Sequence, residues 1–273
     1  MDLFSCLSPF SLCSLSSGSD GNAYYIENQH DAILVDVGIP VSTIESRLRE
    51  IGASMSQVKA ILLTHDHIDH VRGLVPLTRK YPIPVYGHCE CLDALQEEKS
   101  TSDIDLSLLR PIASFGIVTI AGIEIEAFPV SHDAHGSMGY YFNVEGRSLT
   151  IATDLGVIDM VTKDYLLRSD SIIIEANYDE MMLKKGSYPF PLKRRIHSPF
   201  GHLSNEETAR FVAENYRQEM KNILFCHLSD NNNDPELLMQ MVRRHFRYNG
   251  IVPDPSTTII PLPRTTRSER IFL

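Results

Sequence analysis

Apolar positions alternate or gather in short runs between turn residues through most of the chain. They predict strands near 10–15, 23–28, 31–36, 58–63, 84–86, 123–129, 138–144, 148–152, 170–175 and 222–226. Spacings of three and four predict helices over roughly 40–51, 89–97, 159–168, 204–218 and 234–246. The early strands follow one another across short polar turns and the later ones alternate with helices, so the pattern predicts an α/β chain with two sheets flanked by helices. No repeat at a fixed period, low-complexity tract or long linker interrupts it, which predicts a single domain over 1–273. Segment 184–199 carries three prolines, a glycine and five Lys or Arg residues, and reads as an ordered or semi-ordered excursion. The stretch after Pro253, rich in Pro, Thr and Arg, reads as a loosely held tail.

Composition changes this picture little. A chain of 273 residues that is 43% hydrophobic and 22% charged can bury a sizeable core. A net charge of −10 opposes a polyanionic partner, but bound divalent ions reverse the sign locally, so charge leaves the substrate open. Cys6, Cys13, Cys89, Cys91 and Cys226 are odd in number and lack framework spacing, which suits a reducing compartment. Cys89-x-Cys91 reads as packing rather than as a metal site. Residues 3–15 are apolar but broken by serines and Pro9, and the first basic residue is Arg47, so no signal peptide is expected. No run is long enough to span a membrane, and the expected location is the cytoplasm.

The chemistry begins where the apolar strand Ala60-Ile61-Leu62-Leu63 runs into Thr64-His65-Asp66-His67-Ile68-Asp69-His70. Three histidines and two aspartates in seven positions are the donors expected for Zn²⁺, Mn²⁺ or Fe²⁺, and a loop at a strand end can aim alternate side chains at one point. The run resembles the HxHxDH motif of the metallo-β-lactamase superfamily. The other motifs of that family are matched in order by Asp36 in LVDVG, His132 in PVSHDAHG, Asp154 in ATDLG and His227 in FCHLSD. The resemblance implies an αββα sandwich of two mixed sheets flanked by helices. It further implies one metal on His65, His67 and His132, a second on Asp69, His70 and His227, Asp154 bridging the two, and Asp36 behind the ligands holding their loop. Two divalent ions, zinc, manganese or iron, would activate a shared water as a hydroxide nucleophile, which Asp69 also positions.

Lactam-cleaving members of the superfamily usually have a cysteine where this chain has Asp154. An oxygen bridge makes a harder site and leaves phosphodiesterases and glyoxalase II-like thioesterases open. Glu175-Ala176-Asn177 and Gly201-His202-Leu203-Ser204-Asn205-Glu206-Glu207 resemble the Glu-Ala and His-x-Thr elements of tRNase Z-type phosphodiesterases. By that resemblance His202 is the general acid and Glu175 orients it. Phosphodiester cleavage expels an alkoxide, so a proton donor lowers the barrier. Ser204 with the acids after it also reads as the N-cap of a helix.

The loops Ser16-Ser17-Gly18-Ser19-Asp20-Gly21-Asn22 and His227-Leu228-Ser229-Asp230-Asn231-Asn232-Asn233 are similar to those of the YycJ/WalJ branch, with Asp20 in place of the usual serine. That branch is associated with 5′-to-3′ exonuclease action on DNA. The resemblance therefore implies a metal-dependent nuclease with DNA favoured over RNA. Ser19, Asn22, Lys193, Arg194, Arg195, Ser204 and Ser229 are the expected substrate contacts. Lys184, Lys185, Lys193, Arg194 and Arg195 interleave with Tyr188 and Phe190, the composition of a strip that binds phosphates and stacks bases. No long insertion like the β-CASP domain of RNase J-type enzymes is present. Hydrolysis of a small phosphodiester such as a cyclic nucleotide, thioester hydrolysis and a non-enzymatic metal-binding role stay open, and nothing in the sequence sets the oligomeric state.

Overall fold

The computed structural model describes residues 10–273, so Cys6 and the opening of the apolar stretch 3–15 lie outside the described residues. One sheet contains β1 (Phe10–Gly18), β2 (Gly21–Asn28), β3 (Asp31–Val35), β4 (Val58–Leu62), β5 (Val85–Gly87) and β6 (Leu109–Pro111). The other contains β7 (Ile117–Ile120), β8 (Ile123–Pro129), β9 (Met138–Val144), β10 (Arg147–Ala152), β11 (Ser171–Glu175), β12 (Asn222–Cys226) and β13 (Thr258–Pro261). The last strand, β14 (Ile271–Phe272), returns to the first sheet and pairs antiparallel with β1. Each sheet has an antiparallel half and a parallel half. β1 to β3 run antiparallel and β3 to β6 parallel. Likewise β7 to β10 run antiparallel and β10 to β13 parallel.

Period-two alternation explains why both faces of the central strands are buried. In β3, Ile33 and Val35 enter the layer between the sheets, whereas Ala32 and Leu34 enter the layer beneath α1 (Val41–Glu50) and α3 (Leu74–Lys80). In β12, Leu224 and Cys226 face the inter-sheet layer, while Ile223 and Phe225 pack with side chains of α8 (Asn205–Asn215) and α9 (Pro235–Tyr248). The inter-sheet layer draws on both sheets, from Leu12 and Tyr24 to Tyr140, Phe142 and Ile173. Each fully buried apolar side chain there contributes roughly 1.5–3 kcal/mol. That exceeds the ~1 kcal/mol of a polar link such as the Tyr140 hydroxyl donating to the Leu63 carbonyl at 2.6 Å. The result is helices, sheet, sheet, helices, with α4 (Cys89–Glu97) on the first outer face and α5 (Met160–Arg168) on the second. Among the described residues no helix is long and apolar enough to cross a membrane.

The tail is not loose. After Pro253 the chain forms β13 and β14, so it edges one sheet and then the other. Between them Ser17 donates its backbone N–H to the Pro263 and Arg264 carbonyls, each at 3.2 Å, and Arg270 pairs with the buried Glu27 at 2.8 Å. Short β-segments at sheet edges carry too few alternating positions to stand out in a sequence. The excursion 184–199 is helical on both sides of Gly186, as α6 (Glu180–Lys185) and α7 (Phe190–Ile196). Its prolines sit where helices accept them, Pro189 as N-cap and Pro191 in the first turn. α2 (Ile68–Val71) lies inside the histidine motif itself. Cys91 is buried in the core of the first sheet's outer layer, as packing requires, while Cys89 is exposed.

Candidate metal centre

The parallel halves of both sheets end at one edge, and the motif residues cluster at those strand ends. Asp36 follows β3, Thr64 and His65 follow β4, Asp154 follows β10, Glu175 ends β11 and His227 follows β12. Ligands of open α/β sheets gather at the carboxyl ends of parallel strands for this topological reason. Asp36, Asp154 and His227 have φ of 58°, 55° and 54°, a left-handed backbone that costs a non-glycine residue about 1–2 kcal/mol. Such turns reverse the chain sharply and aim the side chain back across the strand ends. Gly38 of the first motif is needed for a different reason. A Cβ there would lie 1.6 Å from the Asp69 carbonyl oxygen.

Two triads converge. His65, His67 and His132 bring ring nitrogens within 4.8 Å of one another, as do donor atoms of Asp69, His70 and His227. In the first, His67 Nδ1 stands 3.2 Å from His132 Nε2, and among the described residues the buried His65 Nε2 has no hydrogen-bond partner. In the second, Asp69 Oδ2 lies 3.4 Å from both His70 Nε2 and His227 Nε2. Asp154 stands between them, with Oδ2 3.3 Å from His70 Nε2 and Oδ1 3.9 Å from His132 Nε2. A buried nitrogen left unpaired costs about 1–3 kcal/mol, and convergent lone pairs repel. A cation satisfies both, so the donor set fits divalent metal, and mixed imidazole and carboxylate donors suit zinc, manganese or iron.

The electrostatics divide the triads. Burial, assisted by neighbouring imidazoles, holds His65, His67 and His132 below the usual histidine range, which keeps them neutral with lone pairs available. Burial would do the same to His70 and His227, but Asp154, Asp36 and Asp69 outweigh it at His70, which lies well above its usual range. At His227, Asp154, Asp69 and Glu175 outweigh burial, and the pKa is pushed up to about 10. Burial would raise Asp154 too, and the histidines facing it hold it well below the carboxylate range. Loading the second triad therefore displaces protons as metal enters.

Behind the ligands, Asp36 Oδ1 accepts from the Thr64 N–H at 2.9 Å. Its Oδ2 meets the Thr64 hydroxyl at 2.9 Å and His70 Nδ1 at 2.8 Å. His132 Nδ1 lies 3.1 Å from the Gly201 carbonyl, which fixes its ring. Glu175 is fully buried and joins the two chemistries. Its Oε1 lies 2.8 Å from both His202 Nδ1 and His227 Nδ1, and its Oε2 accepts from the Leu155 N–H at 2.8 Å and the Leu203 N–H at 3.2 Å. Burial would raise its pKa, but His202 and His227 hold the carboxyl below its usual range. His202 is partly exposed, its Nδ1 is 3.7 Å from Asp154 Oδ1, and it lines a cleft of about 210 Å³ with His67, Asp69, Tyr188 and Arg195.

The substrate contacts expected from sequence fare unequally. Ser19 is exposed and lines the cleft, which Ser229 also borders. Arg195 lines it too and grips Asp133, the neighbour of His132, at 2.5 and 2.8 Å. Arg194 looks into a different cavity. Asn22 is wholly buried and donates to the Gly18 carbonyl at 3.1 Å and Asp69 Oδ2 at 3.4 Å, so it braces a candidate metal donor and does not face the cleft. Ser204 is buried as the N-cap of α8, locked in a capping box with Glu207. Lys193 donates to the Lys184 and Gly186 carbonyls at 2.9 and 2.6 Å and so caps the end of α6. His135 pairs with Asp66 at 2.8 Å and staples two loops.

Sequence reading missed the asparagines that hold these loops together. Asn205 and Asn233 exchange amide hydrogen bonds at 2.8 and 2.9 Å, and Asn233 also donates to the Ala176 and Asn177 carbonyls at 2.8 and 3.0 Å. Asn177 in turn donates to the His227 carbonyl at 2.8 Å. The signal was present, in asparagines at fixed places beside three separate motifs, but only contact in space shows that they clasp one another. Asn233→Ala leaves several buried polar groups unpaired. It is expected to cost about 3 kcal/mol in urea unfolding and to lower metal content, whereas a change within about 0.5 kcal/mol would contradict the clasp.

Residues 32–223 match the model of the β-lactamase superfamily domain. The chain is 34% identical to the exodeoxyribonuclease YycJ of Bacillus anthracis over 236 residues, 86% of this chain and 89% of that one. It is 36% identical to the exodeoxyribonuclease WalJ of Streptococcus pneumoniae serotype 2 over 261 residues, 92% of this chain and 97% of that one. Among solved structures, the metallo-β-lactamase fold protein YhfI of Bacillus subtilis aligns with a TM-score of 0.69 at 16% identity, covering 96% of this chain and 99% of that one. The strand-end donors, the two mixed sheets and these matches agree: the chain belongs to the β-lactamase superfamily, in the group that includes the YycJ and WalJ exodeoxyribonucleases.

Proposed function

We propose that this metal-dependent hydrolase is a nuclease that removes nucleotides from DNA in the 5′-to-3′ direction. The observation that carries the reading is the 2.8 Å contact between Glu175 and His202, set beside Asp154 at the mouth of the metal cleft. Thioester cleavage needs no such proton donor, because a thiolate leaves without one, whereas an alkoxide does not. The names of the relatives supply the polymer, since YycJ and WalJ are both exodeoxyribonucleases.

In this reading His65, His67 and His132 would hold one ion and Asp69, His70 and His227 another, and Asp154 would serve both. The chemistry such ions supply is Lewis acidity toward the phosphate and a lower pKa for the attacking water. Asp69 commits Oδ2 to its histidine neighbours, which leaves Oδ1 to hold and orient that water. Glu175 Oε1 accepts a hydrogen bond from the Nδ1–H of His202, so Nε2 is the nitrogen that delivers a proton to the leaving oxygen. Arg195, Ser19 and Ser229 are the cleft groups placed to meet phosphate oxygens. The shared inter-sheet core supports reading the chain as one domain, and four free cysteines among the described residues support a cytoplasmic location.

Pure protein with Mn²⁺ or Zn²⁺ and end-labelled single- and double-stranded DNA and RNA tests the reading. DNA should shorten from its 5′ end, only with metal, and faster than RNA. Intact polymers in every lane would refute it.

A further inference from the structure

α7 looks into two cavities. Leu192, Arg195 and Ile196 line the metal cleft, while Phe190, Lys193, Arg194 and the following His197 line a second cavity on the outer side. The spacing accounts for this, because 192, 195, 196 and 190, 193, 194, 197 are two stripes of three- and four-residue steps on opposite faces of one helix. The outer cavity is the roomier, at about 660 Å³ against about 210 Å³, within the range of small-molecule sites.

Its chemistry is mixed in a specific way. Tyr178 and Leu183 form a buried apolar floor, and Phe190, 75% exposed, stands at the side with Met181. Lys193 is occupied by the α6 carbonyls, but among the described residues the side chains of Lys184 and Arg194 make no hydrogen bond or ion pair. One acid, Glu180, faces these cations, so the lining is basic in a chain of net charge −10. Tyr188 borders both cavities, and its hydroxyl accepts from Asn231 of the loop that carries His227 at 3.1 Å. Tyr188 is therefore a wall that the metal cleft and the outer cavity share.

An exposed phenyl ring and a half-buried tyrosine on an apolar floor, with unpaired cations at the rim, match one repeating chemistry: a flat base joined to phosphates. We propose that the outer cavity is a base-binding subsite, which takes an unstacked nucleotide of the substrate strand next to the scissile phosphate. Resting on the nucleic-acid reading of the cleft, this assignment adds what that reading leaves out. Phe190 and Tyr188 hold the base by stacking, and Lys184 and Arg194 hold the adjoining phosphates. A base that enters the cavity has left its partner, so the strand is unpaired at this point and duplex ends are worked on only as they fray. Every base has a π face, so the subsite is tolerant of sequence.

The test compares two substrates with the whole metal-loaded protein. Phe190→Ala is expected to raise KM for a single-stranded oligothymidylate roughly tenfold, and Phe190→Trp to restore it. Turnover of bis(p-nitrophenyl) phosphate, too small to reach beyond Tyr188, should be unchanged in both. Lys184→Ala combined with Arg194→Ala should flatten the salt dependence of oligothymidylate binding by about 1.4 in logarithmic slope, two phosphate contacts at about 0.7 each. Unchanged KM and slope in a wild-type background that degrades the oligonucleotide would overturn the subsite alone. Parallel loss on both substrates would overturn it as well, by marking α7 as a support of the metal cleft. A wild-type protein that hydrolyses the small ester but neither binds nor cuts the oligonucleotide would overturn the nucleic-acid reading and the subsite with it.

Discussion

Replacing His202 with alanine should slow DNA cleavage by roughly 10²–10⁴-fold while leaving bound metal at its wild-type level. The size follows from what a positioned proton donor supplies when an alkoxide leaves. The retention of metal follows from position, because His202 stands outside both triads and, in the cluster it forms with Asp154, Glu175 and His227, its Nδ1 is taken up by Glu175. The same variant should lose far less on bis(p-nitrophenyl) phosphate, whose nitrophenolate leaves without protonation. An equal loss on both substrates would mean that His202 supports the cleft rather than protonating a leaving group. His202→Ala is a cleaner probe than a change at Glu175, which is fully buried and bound at both oxygens. Removing that carboxylate would leave the Leu155 and Leu203 N–H groups unpaired and take from His227 one of its acidic partners, at a cost of several kcal/mol.

Stripping divalent metal with a chelator should abolish hydrolysis and lower the thermal midpoint by on the order of 10 °C, both reversed by added Mn²⁺ or Zn²⁺. Ligand present at about a thousand times its Kd stabilises by about 4 kcal/mol, and a chain of this size shifts by a few degrees per kcal/mol. The structure gives the reason. Asp36, Asp154 and Glu175 are buried together with His65, His70 and His227, and His65 Nε2 has no hydrogen-bond partner among the described residues. Without cations these groups are balanced only by one another and by the protons on His70 and His227. An unchanged midpoint after full chelation, with activity lost, would show that the ions are held elsewhere or too weakly to be linked to folding.

The candidate metal donors were legible in the sequence partly through the density of His and Asp after one apolar strand and partly through the motif resemblance, which picked out His132, Asp154 and His227. Thr64-His65-Asp66-His67-Ile68-Asp69-His70 after Ala60-Ile61-Leu62-Leu63 needed no fold to read as a ligand cluster. The long strands and α1, α4, α5, α8 and α9 were equally legible, since each offers enough positions for its period to emerge. α6 and α7 were not, because Gly186 and two prolines mask helices of six and seven residues. β13 and β14 were hidden for a related reason, as their pairing partners lie far away in the sequence.

The roles of single polar residues depended on burial, which sequence does not carry. Asn22 and Ser204 look like phosphate contacts as text, yet both are buried, one against Asp69 and one capping α8. Lys193 looks like Arg194, yet one is spent on the α6 carbonyls and the other faces an open cavity. Residue type and order thus picked out the candidate metal donors and the strands they follow, because donor chemistry and apolar periods are local properties. The tertiary structure alone decided which polar groups face the cleft and which brace it, because hydrogen-bond partners distant in sequence become neighbours only when the two sheets close on their common core.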